Sequence, residues 1–425
     1  MGKLESEIKE KIDEYFKDRK FPSRYRIPLA SPTIGSEEVN EAIDSLLQMN
    51  LTMGRKVLAF ESVFKEYQNT RYATMVNSGS SANLVALSIL TNPAFRNRMM
   101  AGSEVITPAT TWATTVFPIA YANCTPVLTD VNLDTFNINP DSIEKAITSK
   151  TRAIMPVHLM GNPCDIKEIM EIAEKHNLFV IEDTCEALGA KVDNQRAGNF
   201  GDLATFSFFF SHHISTIEGG IVATNEDEFD ELSKALRVFG WARDMKKYEN
   251  YAEEHKDIDK RFLFVNTGFN LRPTEIQGAI GIHQMKKLDN LIEVRRKNAY
   301  YLNKQLEPYS DFIMTQKERA NTRHTWFGFP ITIRKDAPFT RDEMTAFLES
   351  KSIETRPIQI PNMSKQPAVD LIKHRVSGEL QNSDYIMKNS FWFGIHQGVE
   401  TSEREYLAEA IISFIERRRK KSATG

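Results

Sequence analysis

Apolar positions recur every four residues at the start of the chain. Leu4, Ile8, Ile12 and Phe16 stand among charged neighbours, which predicts an amphipathic helix over 3–20 that stops before Phe21-Pro22. From about Ser36 a second helical pattern runs through EEVNEAIDSLL. The middle of the chain then alternates. Short apolar runs (EVITPA, TPVLTDV, AIMPVHL, LFVIED, ATFSFFF and GIVATN) are separated by helical stretches such as DIKEIMEIAEKHN and DEFDELSKALRVF. Strand–helix alternation of this kind predicts an α/β fold: a doubly wound, mainly parallel sheet with helices on both faces.

A charged stretch, MKKYENYAEEHKDIDKR, lies between Gly240 and Asn266 and reads as a surface excursion or a lid. A long helix is expected from about Thr274 to Tyr301. Beyond it, FGFPITI, the helical TRDEMTAFLESKS and IETRPI suit a smaller α+β domain. The chain thus divides into an N-terminal helical extension (1–27), a large domain (28–285) and a small C-terminal domain (286–425). No internal repeat interrupts this pattern.

Composition narrows the function classes. The 425 residues are 41% hydrophobic, ample for a large core in two or three domains. Lys and Arg number 54 against 57 Asp and Glu, a net charge of −3, so no nucleic-acid footprint is present. The one basic run, Arg417 to Lys421, reads as a solvated helix end. Cys124, Cys164 and Cys185 have no paired spacing, which indicates neither a disulfide framework nor a zinc site. The charged N-terminus does not look like a signal peptide and no apolar run is long enough to span a bilayer. The expectation is a cytoplasmic protein with no membrane contact.

Candidate chemistry sits where ligands bind in open α/β sheets, beyond the carboxyl ends of strands. NSGSSAN, Asn77 to Asn83, follows the apolar run YATMV and opens a helix. Small residues there let backbone N–H groups approach a phosphate, although an ordinary Ser-capped helix start reads the same way. Asp183 ends a fully apolar strand, where a carboxylate is costly unless it meets a cation or serves as a buried cap. In TFSFFFSHHISTIEGG, His212 and His213 occupy a turn between two strands. Adjacent histidines point in different directions and no third ligand is spaced to join them, so a metal is not expected.

In order and spacing these segments match one family. From about Pro28 to about Leu407 the chain resembles the nucleotide-sugar aminotransferases of the pyridoxal phosphate enzymes, fold type I. The match continues in GFNLRPTEIQGAIGIHQMKKL, RRKNAYYL and IETRP. The resemblance implies a backbone cradle for the cofactor phosphate at Gly79 and Ser80, with the Ser207 hydroxyl added. It implies that Trp112 stacks on the pyridine ring and that Asp183 keeps the ring nitrogen protonated, as an electron sink requires. Glu186 stands where the aminotransferases usually carry Gln or His. Asn270 would reach the phosphate of a neighbouring subunit's cofactor, which implies a homodimer with shared sites. Arg272 and Arg356 are candidates for anionic groups of the substrate or of L-glutamate, with surface ion pairing as the alternative.

One position departs from the family pattern. Ser-Phe, three variable residues, Lys and then Glu-Gly-Gly is the usual order, but here Ser207-Phe208 leads to His212, and no lysine occurs between Lys191 and Lys234. That is similar to the nucleotide-sugar 3-dehydratase branch. A lysine both tethers the cofactor and shuttles protons, whereas histidine moves protons near pH ~6.5 without a stable covalent link. The branch implies a lyase that uses pyridoxal and pyridoxamine 5'-phosphate. It would remove the 3-hydroxyl of a nucleotide-linked 4-keto-6-deoxy sugar with ammonia release, and glutamate would reload the amine. Such chemistry serves deoxysugar and lipopolysaccharide O-antigen biosynthesis.

Two types share the histidine: one for a GDP-linked 4-keto-6-deoxymannose, and one for a CDP-linked 4-keto-6-deoxyglucose that also carries an iron–sulfur cluster. No cysteine follows Cys185, so no four-cysteine cluster can form, and Trp112 resembles the GDP type. SSANLVALSILTNP and the stretch from Arg375 through SGELQNSDYIM resemble the CDP type, and Phe239 stands where the GDP type has His. The GDP-linked sugar is the expected substrate. A slow aminotransferase, or a non-catalytic B6-binding protein, are the competing readings.

Overall fold

The computed structural model describes residues 2–19, 23–359 and 361–424. The first helix is Lys3–Phe16, and its expected stop at Phe21-Pro22 lies outside the described residues. It rests on helix Ser36–Leu47, to which Lys9 and Asp13 reach through Asp44 and Asn40.

Eight strands form the central sheet, in the order Tyr72–Val76, Gly220–Thr224, Leu203–Ser207, Phe179–Asp183, Thr151–Ile154, Glu104–Pro108, Thr125–Thr129 and Arg375–Val376. Gly220–Thr224 runs antiparallel to both of its neighbours and the other pairings are parallel. Five of the six apolar runs read from the sequence form the parallel core of the sheet. The sixth, GIVATN, turns back along it, joined to its neighbour by the loop 208–219, which carries no helix. Buried apolar residues such as Val85, Leu90, Ile181 and Val222 fill one side and Ile106, Ile143, Ile169 and Val180 another.

Helix Glu275–Leu306 is longer than the pattern predicts and contains the expected domain boundary at 285/286 within its span. A second sheet, Ile313–Thr315, Phe329–Ile333, Ser390–Phe393 and Thr355–Pro357, packs on it with Ala299, Leu302 and helix Thr401–Thr424. The C-terminal part returns to the large sheet as well. Strand Arg375–Val376 pairs with Val127 and Leu128, and the Arg375 guanidinium forks onto Glu104 at 3.0 and 2.9 Å. Asp130, just past strand Thr125–Thr129, accepts the first amides of helix Gln381–Asn389 from Asn382 and Ser383 at 2.9 Å. Charge and caps therefore stitch the C-terminal segment onto the large sheet, a device the apolar pattern does not reveal. The excursion 240–266 carries helix Tyr248–Glu254 and a small core of Ala235, Ala242, Met245 and Leu263.

Candidate active site

Parallel strands align their carboxyl ends, so Val76, Pro108, Ile154, Asp183 and Ser207 release their loops on one edge of the sheet. Ser78 caps the helix Gly79–Leu90, its hydroxyl accepting from Ser81 N at 3.1 Å. Gly79 packs directly on Ser207: a Cβ built on Gly79 would stand 2.5 Å from Ser207 Cβ and 2.8 Å from its Oγ. Gly220 is held in the same way, since its Cβ would meet Ser78 O at 2.3 Å. Two glycines thus let a helix N-terminus, with Ser80 exposed on its first turn, close up on the Ser207 hydroxyl. Amides at a helix N-terminus beside a hydroxyl make a phosphate cradle.

Asp183 is 4% exposed and is held by three neutral donors. Its Oδ2 accepts from Asn83 Nδ2 at 3.0 Å and Thr115 Oγ1 at 2.8 Å, and its Oδ1 from Cys185 N at 3.2 Å. Thr205 Oγ1 in turn donates to Asn83 Oδ1 at 2.6 Å. Among the described residues no cation pairs with this carboxylate, so it awaits one, such as a protonated ring nitrogen. Trp112 is the N-cap of helix Ala113–Tyr121, three residues before Thr115, and half of its surface is exposed. One helix therefore supplies both a donor to Asp183 and an open aromatic face. The cradle and the uncompensated carboxylate fit a pyridoxal-type cofactor.

Glu186 lies on the next turn after Asp183. Its Oε2 accepts from Met160 N at 2.7 Å, and burial together with the charge of Asp183 pushes its carboxyl up to about 7. The two histidines separate sharply. His213 is 1% exposed, and its Nε2 donates to Thr325 O at 2.9 Å. His212 is half-buried, its Nδ1 has no hydrogen-bond partner, and its ring stands edge-on to Phe327 with centroids 5.2 Å apart. Burial, reinforced by Arg295, pulls its pKa down to about 4. No group of three or more His, Cys, Asp or Glu side chains among the described residues is arranged to hold a metal.

The remaining candidates stand apart from this network. Asn270 is exposed, accepting from Arg272 Nε at 3.0 Å, while the Arg272 guanidinium lies 5.4 Å from the Phe239 ring centroid. Their segment does touch the cradle, because Leu271 O accepts from Asn77 N at 3.0 Å. Arg356, in the second sheet, pairs with Glu354 at 2.9 Å. Sequence reading missed Asn83, Thr115 and Thr205, the side chains that hold Asp183. The signal for Asn83 and Thr115 was faint: each falls one helical turn past a singled-out residue, Gly79 or Trp112, and so lies on the same face.

Fold and site together define a vitamin B6-type enzyme of fold type I. The chain belongs to the DegT/DnrJ/EryC1/StrS aminotransferase family, whose model matches residues 32–412. It is 40% identical over 385 residues to the GDP-4-keto-6-deoxy-D-mannose 3-dehydratase of Yersinia pseudotuberculosis, covering 89% of this chain and 95% of that one. It is 35% identical over 401 residues to the lipopolysaccharide biosynthesis protein RfbH of Salmonella typhimurium, covering 91% of each. A solved GDP-4-keto-6-deoxymannose-3-dehydratase with a trapped PLP-glutamate geminal diamine superposes with a TM-score of 0.86 at 35% identity, over 91% of this chain and 100% of that one.

Proposed function

We propose that this chain is a pyridoxamine phosphate-dependent 3-dehydratase of GDP-4-keto-6-deoxy-D-mannose, a lyase that supplies a 3,6-dideoxy sugar for lipopolysaccharide O-antigen. The observation that carries the reading is His212, half-buried on the Ser207 turn where the family pattern has its lysine. Loaded by L-glutamate, the cofactor's amine form supplies the electron sink for loss of the hydroxyl beside the sugar's keto carbon.

The chain's own residues divide the remaining work. Amides of Gly79 and Ser80 and the Ser207 hydroxyl hold the phosphate. Trp112 covers the ring face, and Asp183 keeps a proton on the ring nitrogen. Glu186, poised near neutrality, offers a hydrogen bond to the cofactor's polar edge. His212 is neutral at working pH and so is ready to accept a proton; with Nδ1 buried, Nε2 is the nitrogen left for exchange. Histidine cannot tether the cofactor, which favours hydrolytic release of product over amino transfer. Arg272 and Arg356 would meet anionic groups of sugar nucleotide or glutamate. Asn270, exposed beside the cradle segment, would complete the site of a second copy in a homodimer.

The division at 285/286 into large and small domains, the N-terminal extension 1–27 and a cytoplasmic location complete the proposal. No helix among the described residues is long and apolar enough to cross a membrane. The test is mass spectrometry of the product formed from GDP- and CDP-linked 4-keto-6-deoxyhexoses with glutamate present. A 3-deoxy-4-keto product from the GDP sugar, with free ammonia, is expected; an amino sugar would overturn the reading.

A further inference from the structure

Arg295 sits within helix Glu275–Leu306 with 3% of its surface exposed. Its guanidinium donates to Phe327 O at 2.7 Å and Trp326 O at 3.2 Å, while its Nε has no hydrogen-bond partner. Among the described residues no carboxylate pairs with it. Its neighbour Arg296, by contrast, pairs with Glu318 at 2.7 Å. A buried cation without a counter-charge is costly, and packing alone gives no reason to retain one.

Arg295 acts on three imidazoles, those of His212, His213 and His396. Phe327, whose carbonyl it holds, presents its ring edge-on to His212 at 5.2 Å and to His213 at 6.2 Å. His213 donates to Thr325 O, one residue before the carbonyls on Arg295. His324 stacks on Trp326 with centroids 3.8 Å apart and interacts with Gln316 at 3.0 Å. His396 donates to Pro28 O at 2.8 Å. The charged and titratable groups that act on His212 are Arg295 from the long helix and His213 from its own turn, while His324 faces Arg296 and His213, and His396 faces Arg295. None of these histidines has an acidic partner among the described residues.

We propose that Arg295 is a positioning residue for His212, holding the imidazole neutral and fixing the aromatic wall that orients its ring. This rests on His212 being the base of the proposed reaction. Like charges repel strongly where water is excluded, so an imidazolium beside this guanidinium is disfavoured. His212 then stands unprotonated when substrate arrives and readily gives up a proton it has taken.

The test follows the His212 ring directly. Holoenzyme with isotope-labelled histidine is titrated by NMR in wild type, Arg295→Met and Arg295→Lys, with the His212 signal assigned by its loss in His212→Asn. The pH profile of dehydration is recorded beside it. In the wild type His212 should titrate at about pH 4. In Arg295→Met both that titration and the acidic limb of the rate profile should move up by roughly half a pH unit or more. Arg295→Lys, which keeps the charge, should leave both near the wild-type position.

A purely structural role would lower the rate by one factor at every pH and leave the limb in place, which overturns the proposal. So would a wild-type His212 titrating near ~6.5, a result that needs no variant to fold. Failure of the underlying reading would show separately, as full turnover in His212→Asn.

Discussion

Gly79 and Ser207, 128 residues apart in the chain, touch so closely that a single added carbon on Gly79 would lie 2.5 Å from Ser207 Cβ. That contact brings a helix N-terminus and a strand end to one point, and the site is built outward from it. Gly79→Ala must push the strand and helix apart, an overpacking strain of about 1–3 kcal/mol. The variant should fold with a lowered melting temperature and bind pyridoxamine phosphate at least roughly tenfold more weakly by absorbance titration. Unchanged affinity would remove Gly79 from the phosphate cradle.

His212→Asn should still bind pyridoxamine phosphate, because in the proposed site phosphate, ring face and ring nitrogen would be held by other residues. Its turnover should fall by roughly 10²–10⁴-fold, the usual contribution of a positioned general base. His213→Asn should show the reverse split. Loss of the buried bond to Thr325 O costs about 1–3 kcal/mol of stability, while the folded fraction keeps most of its turnover. Equal loss of turnover in both variants would show that the turn acts as one unit.

Borohydride treatment of the purified enzyme, followed by intact mass measurement, should add no pyridoxyl group to any lysine. His212→Lys should acquire such an adduct, together with a visible absorption band, and should lose dehydration. A quantitative lysine adduct in the wild type would contradict the assignment of His212.

Glu186 links folding to pH. Its carboxyl is raised to about 7 from 4.5, so between those values the folded chain holds a proton that the unfolded chain has released. Stability from this group is therefore greatest below about pH 4.5 and declines as pH rises to about 7. Glu186→Gln should flatten that decline in the cofactor-free chain, by at most about 3 kcal/mol, in urea unfolding at pH 5 and pH 8. An identical pH dependence in the two chains would place the proton elsewhere.

Turnover with glutamate alone should persist in preparations free of iron and labile sulfide, since three cysteines cannot ligate a four-cysteine cluster. Dependence on a reductase partner would refute this.

Much of the fold was legible because fully buried strands and amphipathic helices leave local periodic marks. EVITPA, LFVIED and ATFSFFF form strands where their apolar runs lie, and DIKEIMEIAEKHN yields helix Ile166–His176. The edge strand Arg375–Val376 left no such mark. Two residues carry no period, and the strand is set by the Arg375–Glu104 fork between segments 271 residues apart. Asn83, Thr115 and Thr205 were missed for a related reason: single polar residues acquire meaning only when folding aims them at one carboxylate.

The sequence by itself determined the strand–helix alternation, the place of Asp183 at a strand end and the histidine where the family pattern has lysine, because each is a matter of order along the chain. Only the tertiary structure decided which of two adjacent histidines is free. It buried His213 on the Thr325 carbonyl, left His212 half-open beside Phe327 and set Arg295 behind both without a counter-charge. Adjacent side chains on a turn diverge, and their environments come from segments more than 80 residues away, which no local pattern can encode.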